Sequence, residues 1–294
     1  MGYVLVVGES LIDVVTDASG DTVEWPGGSA ANVAVALARL GRPTRFATSF
    51  ADDARGRVLA AHLSGAGVEL AADPYLLDRT SSAAATIAAD GSASYVFDLD
   101  WRLGPVAGVD DAGLAPPAFV HVCSIGAVLE PGADDVLRVL DQLADTPARV
   151  VYDVNARPAI TGTGPEVLGR VEAVARRAEI VKASDEDLAV LYPTLGLDEA
   201  AARLLSLGPR AVVVTRGGEG ATWFDAEEVL QVPATPVDVV DTIGAGDTFS
   251  AALIDALWDG SSPAAALEHA ARAAAINVTR PGADPPTREE LAAG

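Results

Sequence analysis

Short runs of Val, Ile and Leu recur along the chain between longer stretches in which apolar positions return every three or four residues. The runs are VLVV at 4–7, FVHVC at 119–123, VVYDV at 150–154, EIVKAS at 179–184 and AVVVT at 211–215. They are nearly continuously apolar rather than alternating, which is the pattern of strands covered on both faces, so a mostly parallel sheet is predicted. Helical periodicity occupies 29–40, 54–63, 134–144, 166–177, 185–192 and 199–207, and then 245–276 with a break at Gly260 to Pro263. Strand alternating with helix predicts an α/β fold, a doubly wound sheet flanked by helices. Two stretches break the alternation: 21–25, and 81–101, where strand-like residues flank Asp90-Gly91. Asp-Gly between such runs favours a tight hairpin turn. Together these stretches predict a small β element standing off the main sheet as a lid. No repeat or low-complexity linker divides residues 1–294, so one domain carrying that lid is expected.

Charge narrows the partners. The 294 residues carry 42 acidic and 20 basic side chains, a formal net charge of -22. Nucleic acids and anionic membranes are bound through clustered Lys and Arg, and no cluster occurs, so a small molecule is the expected partner. The single lysine, Lys182, is followed by Ala183, so there is no Walker-type GK[ST] loop. The strand lysine and HRD loop of protein kinases are missing as well. A chain of this length buries roughly three quarters of its unfolded surface, enough for a core without cross-links. Cys123 is alone, which excludes an internal disulfide and a cysteine zinc cluster and points to a reducing compartment, the cytoplasm. The start, MGYVLVVGES, reads as a first strand rather than a secretory signal, and no apolar stretch is long enough to span a bilayer. His62, His121 and His269 share no metal-ligand spacing and read as structural.

Candidate chemistry concentrates in four places. DTIGAGDTFSAALIDAL at 241–257 runs from a glycine-flanked turn straight into a helix. A helix start presents free amides and a partial positive charge, so Gly244, Ala245 and Gly246 form a candidate anion hole. Asp247 in the first turn reads either as a helix cap or as a general base beside that hole, placed to deprotonate an alcohol attacking a phosphoryl group. TRGGEGATWF at 215–224 reads either as a plain hairpin or as a turn whose Thr215 and glycine amides face nucleotide phosphates. WPGGSAANVAVALARLG at 25–41 places Gly27 and Gly28 before a helix carrying Asn32. It reads as a helix start capped by Ser29, or as a surface where a polyol approaches bare backbone. Asp13, after the first strand, reads as a turn residue or as an acceptor for two sugar hydroxyls.

These stretches, in this order and over nearly the whole chain, resemble the PfkB family of carbohydrate kinases, with its ribokinase-like fold. GGSAANVAVALARLG is similar to the family's N-terminal signature and DTIGAGDTFSAAL to its C-terminal one. DVNARP at 153–158 resembles its DxNxR stretch, KASDEDL at 182–188 its NxxE segment, and TRGGEG its nucleotide turn. The resemblance implies ATP-dependent phosphorylation of a sugar hydroxyl, with Mg2+ and in many relatives K+. It implies Asp247 as the base, with Gly244, Ala245 and Gly246 stabilising the transferring phosphoryl. Asp13, Gly27, Gly28 and Asn32 would bind the sugar, with Arg157 near the sugar or the phosphates. Lys182, Ser184, Thr215, Gly217, Gly220, Gly246 and Asn277 would meet the nucleotide, Asn277 at its adenine. Asp241 and the Ile243 carbonyl would support a monovalent cation. The NxxE segment departs from the pattern: Ser184 and Asp187 replace Asn and Glu. Aspartate is one methylene shorter, which a water-bridged magnesium contact tolerates better than a direct one.

YVFDLDWRL at 95–103 lies in the lid, where selectivity is expected, and Phe97 and Trp101 are placed either on a sugar face or in the lid core and dimer contact. GESLIDV, this lid and CSIGAVLEPG at 123–132 resemble fructokinase-type members most, so fructose is the first expected substrate. Ribose and 2-keto-3-deoxygluconate are the alternatives, and a nucleoside is less favoured. The resemblance also implies a homodimer through the lid. A non-catalytic sugar or nucleotide sensor on this fold would not need Asp247, which is present with its glycines and Asn32. A dinucleotide oxidoreductase would carry GxGxxG after the first strand, where GESLID stands instead.

Overall fold

A computed structural model of the chain describes residues 2–88, 92–110 and 114–293. The Asp90-Gly91 turn lies outside the described residues. The strands are β1 (Val4–Val7), β2 (Leu11–Thr16), β3 (Thr22–Gly27), β4 (Thr44–Ala47), β5 (Glu69–Leu70), β6 (Ser82–Ile87) and β7 (Ala93–Asp98). They continue with β8 (Phe119–Cys123), β9 (Arg149–Asp153), β10 (Ile180–Ser184), β11 (Ala211–Thr215), β12 (Ala221–Asp225) and β13 (Val229–Val232). The first five helices are α1 (Ser29–Arg39), α2 (Ala54–Gly65), α3 (Gly132–Leu143), α4 (Pro158–Thr161) and α5 (Pro165–Ala175). They are followed by α6 (Asp185–Leu191), α7 (Leu197–Leu205), α8 (Ala245–Trp258), α9 (Pro263–Val278) and α10 (Arg288–Ala293).

The main sheet has nine strands in the order β13-β12-β11-β10-β9-β8-β1-β4-β5, all running the same way except β12, which pairs antiparallel with both neighbours. Alternate residues of one strand enter opposite layers. Val4, Val6, Val151, Ile180 and Val213 pack with α1, α8 and α9, whereas Leu5, Val7, Val122, Val181 and Val212 pack with α3, α5 and α7. That two-sided burial is why the strands read as unbroken apolar runs. The long C-terminal helical stretch divides where expected. Gly260 has φ +75° after α8, and the Ser262 hydroxyl caps α9 by accepting from the Ala265 amide, with Pro263 in the first turn.

The lid is a four-stranded sheet, β3-β2-β6-β7. The expected strands near 21–25 and 81–101 are there, but so is β2, which sequence reading left as the turn after β1. The acid in LIDVVT masked it: Asp13 sits mid-strand among apolar residues. Register puts Asp13 opposite Trp25 on β3 and Ala83 on β6, and Ala83 opposite Phe97 on β7. Cross-strand partners share a face, so Trp25, Asp13 and Phe97 form one row across the lid. Trp101 does not join it. It is 1% exposed, in the core layer under the sheet, and a Cβ on Gly132 would lie 2.1 Å from its indole. The expectation that Trp101 meets the sugar is therefore corrected: it anchors the end of the lid segment to α3.

Candidate active site

The strands β1, β8, β9 and β10 all end toward the starts of α1 and α8, where the C-terminal edge of an α/β sheet usually holds its ligand. Gly28 precedes α1 with φ +101°, and a Cβ there would sit 3.0 Å from the Glu9 carbonyl, so both conformation and space require glycine. Gly244 precedes α8 in the left-handed region at φ +73°. It brings the start of α8 beside that of α1, and Asp247 is fixed between them. The Ser29 hydroxyl donates to Asp247 Oδ1 at 2.7 Å and Asn32 Nδ2 donates to Oδ2 at 2.8 Å. Asn155 Nδ2 donates to Ser29 Oγ at 2.9 Å.

This geometry removes the helix-cap reading of Asp247. A cap would accept from amides of its own helix, but α8 has no side-chain cap and the carboxylate bonds across to α1. Burial raises the pKa of Asp247, and the hydrogen bonds from Asn32 and Ser29 offset only part of that. A raised pKa strengthens a carboxylate as a base. Ser29 likewise is not the cap expected of it, since Gly28 holds that position and the hydroxyl serves Asp247. Two non-glycine residues with positive φ flank the site, Ser124 at +52° and Asn155 at +37°, joined by a hydrogen bond from Ser124 Oγ to the Asn155 carbonyl at 3.0 Å. Strained backbone held by neighbours is common where geometry is functional.

Beneath α8, Lys182 Nζ donates to Asp153 Oδ2 at 2.8 Å, and the Ser250 hydroxyl donates to the same oxygen at 2.8 Å. Burial works against the ammonium, yet Asp153 keeps its pKa above the ordinary value. Nζ lies 3.1 Å from where a Cβ of Gly246 would be, so the cation stands directly behind the anion hole. Of the amides in that hole, Ala245's donates to the Thr242 carbonyl at 3.2 Å and would have to turn from it to reach an anion.

The nucleotide-side expectations divide. TRGGEG is a hairpin, with Thr215 opposite Ala221. Gly220 is there for packing, because a Cβ would lie 2.1 Å from the Val232 carbonyl, whereas Gly217 faces open space. Ser184 caps α6 by accepting from the Asp187 amide at 3.0 Å. Asp187 is 7% exposed, and its two oxygens accept from the amides of Ala156 and Ser184 at 2.7 and 2.8 Å. The shortened side chain thus ties the strand ends together. Asn277 is fully buried, donating to the Ile243 carbonyl at 2.8 Å and accepting from the Thr248 hydroxyl at 3.2 Å, so it braces the turn that leads into α8. Asp241 accepts from the Ile243 and Gly282 amides, and these bonds lower its pKa.

On the sugar side, a Cβ on Gly27 would fall 2.0 Å from Asp13 Oδ2, so only glycine lets β3 pass that carboxylate. Burial pushes Asp13 up to about 6, opposed by the Arg157 guanidinium, which places that arginine within electrostatic reach of it. Phe97 is partly buried on the Asp13 face. Sequence reading missed Trp25, 50% exposed on the same face, which only the strand register identifies. It missed Glu9 as well, a buried carboxyl whose oxygens accept from the Ser29 and Gly126 amides at 3.2 and 2.9 Å. Nothing but its place after an apolar strand marks it in the sequence.

Comparison with known proteins agrees with this geometry. The model of the pfkB family carbohydrate kinases matches residues 1–290. A fructokinase from Rhizobium leguminosarum bv. trifolii is 34% identical over 262 residues, 86% of this chain and 79% of the relative. The crystal structure of aminoimidazole riboside kinase from Salmonella enterica, complexed with aminoimidazole riboside and an ATP analog, is 29% identical with a TM-score of 0.83, covering 99% of both chains. A double mutant of Vibrio cholerae O395 fructokinase, bound to fructose, ADP and potassium ion, is 26% identical with a TM-score of 0.80, covering 99% of this chain and 95% of its own. The nine-stranded sheet with its four-stranded lid is the ribokinase-like fold, and the chain belongs to the pfkB family of carbohydrate kinases, ATP-dependent enzymes that phosphorylate sugars.

Proposed function

We propose that this enzyme is a cytoplasmic fructokinase that transfers the γ-phosphoryl of ATP to the 6-hydroxyl of fructose. The observation that carries the kinase chemistry is the base itself, Asp247, buried and oriented by two donors at the start of α8. Asp13, Asn32 and the bare backbone at Gly27 and Gly28 hold the sugar, with Arg157 and Phe97 at its edge. Asp247 takes the proton as the hydroxyl attacks. The α8 start and Lys182 behind it meet charge on the transferring phosphoryl, and positioning supplies much of the effect. Thr215 and Gly217 face the remaining phosphates.

Magnesium would arrive with ATP and neutralise phosphate charge. Asp187 already accepts two backbone amides, so a contact from it to that magnesium would pass through a water. Asp241 and the Ile243 carbonyl fit K+ better, since both offer oxygen alone and Asn277 fixes the carbonyl's direction.

The choice of fructose is supported by the fructokinases among the relatives, at about a third identity or below. The lid's aromatic row favours one second reading, a riboside with a planar ring. The test is ADP release with ATP and magnesium across fructose, ribose, 2-keto-3-deoxygluconate, tagatose 6-phosphate, adenosine and aminoimidazole riboside. Fructose should give the highest kcat/KM. Preference for aminoimidazole riboside would overturn the substrate, and no turnover on any would overturn the kinase in favour of a sensor.

Beyond the sugar row, the Asp13 face of the lid carries Val23, Ile87 and Tyr95, 47%, 38% and 63% exposed. Exposed apolar surface of this kind fits a second subunit's lid. Sedimentation should give a dimer, and Tyr95→Glu a monomer; a monomeric wild type removes the proposal.

A further inference from the structure

Glu9 follows β1, is 3% exposed, and has no part in the chemistry proposed above. Its two oxygens accept from amides on two separate pieces of backbone, Oε1 from Ser29 at 3.2 Å and Oε2 from Gly126 at 2.9 Å. The surroundings are cut to fit it: a Cβ on Gly126 would lie 2.8 Å from Oε2. Each of those pieces supports the base. Ser29 opens α1 and donates to Asp247. The turn Ser124–Ala127 carries the Ser124 hydroxyl that holds the Asn155 carbonyl, and Asn155 in turn donates to Ser29 Oγ.

We propose that Glu9 is a positioning residue for Asp247: its carboxylate clamps the start of α1 to the 124–127 turn and so fixes the Ser29 hydroxyl and the Asn155 amide around the base. The inference rests on the kinase reading of the site. Amide donors on both oxygens, with Glu9's own backbone amide adding to them, suit a carboxylate; a carboxamide or a protonated carboxyl turns a donor toward one of them. The titratable groups facing Glu9 are Asp247 on α8 and the Cys123 thiol at the end of β8. Burial, with the Asp247 charge adding to it, pushes Glu9 up to about 7. As pH falls through that value the clamp gains a proton and loosens, and turnover drops; as pH rises it closes. Removing the carboxylate also removes a negative charge beside Asp247, so the limb set by Asp247 itself moves to lower pH.

The experiment is kcat against pH, between about pH 5 and 9, for wild type and Glu9→Gln on the best sugar of the panel. Glu9→Gln is expected to lower kcat about 10- to 100-fold, to leave the KM for MgATP within about twofold, and to lose the inflection near 7. Wild-type kcat in the variant, or a loss equal at every pH with the inflection unmoved, overturns the clamp. Should Glu9→Gln not fold, Gly126→Ala keeps the charge but forces Oε2 off its amide. It should lose turnover with the inflection retained, and full turnover there overturns the proposal. No turnover of any sugar by wild type overturns the kinase reading and this proposal together, whereas turnover with an unmoved profile overturns only this one.

Discussion

Asp247→Asn is expected to lower kcat by about 10²- to 10⁴-fold, the range for loss of a positioned general base, while MgATP binds nearly as in wild type. Asparagine keeps the shape, and its oxygen can still accept from Ser29 or Asn32, so the starts of α1 and α8 stay together. What disappears is the acceptor for the hydroxyl proton. Burial raises the aspartate's pKa, which strengthens it as a base, and the hydrogen bonds from Asn32 and Ser29 oppose that shift. Steady-state kinetics with a nucleotide-binding titration tests this. Near-normal kcat, or loss of nucleotide affinity on the same scale as kcat, would show that Asp247 is a structural link between the helices.

Lys182→Met is expected to destabilise the fold by about 3–5 kcal/mol, the cost of leaving one buried charge without its partner. Asp153 is fully buried, and Lys182 and Ser250 are its hydrogen-bond partners on Oδ2, so methionine strands a carboxylate at the centre of the sheet. The double variant Asp153→Leu with Lys182→Met should recover most of that stability, because an apolar pair needs no compensation. It should not recover turnover. The ammonium behind Gly246 is the one lysine in the chain, and the double variant removes its charge from the anion hole. Denaturant unfolding and kcat measured on both variants separate the two roles. Recovered turnover in the double variant would confine Lys182 to a structural part.

Legibility in the sequence followed the range of the interactions. β1, β8, β10 and β11 coincide with apolar runs because a strand buried on both faces must be apolar throughout. The starts of α1 and α8 were legible for a local reason too, since glycines with positive φ are needed where backbone must turn into a helix close to a ligand. β2 was not, because its acid belongs to the site and contradicts the apolar pattern. The hydrogen bonds of Asp187 and Asn277 were not legible either, because they close on backbone and side chains of other elements.

The two-faced sheet, the order of its helices, the two glycine-led helix starts and the candidate base were readable from the chain, since each depends on neighbours within a few positions or on a motif. What holds the Asp247 carboxylate emerged from the packing of distant elements. Ser29 and Asp247 are 218 positions apart, and Glu9 and Gly126 are 117 apart. Contacts across such separations are set by how helices dock on the strand ends, which leaves no periodicity to read. The same holds for Trp101, Phe97 and Trp25, three aromatic residues whose fates, one in the core and two on the Asp13 face of the lid, follow from strand register and from a glycine at 132.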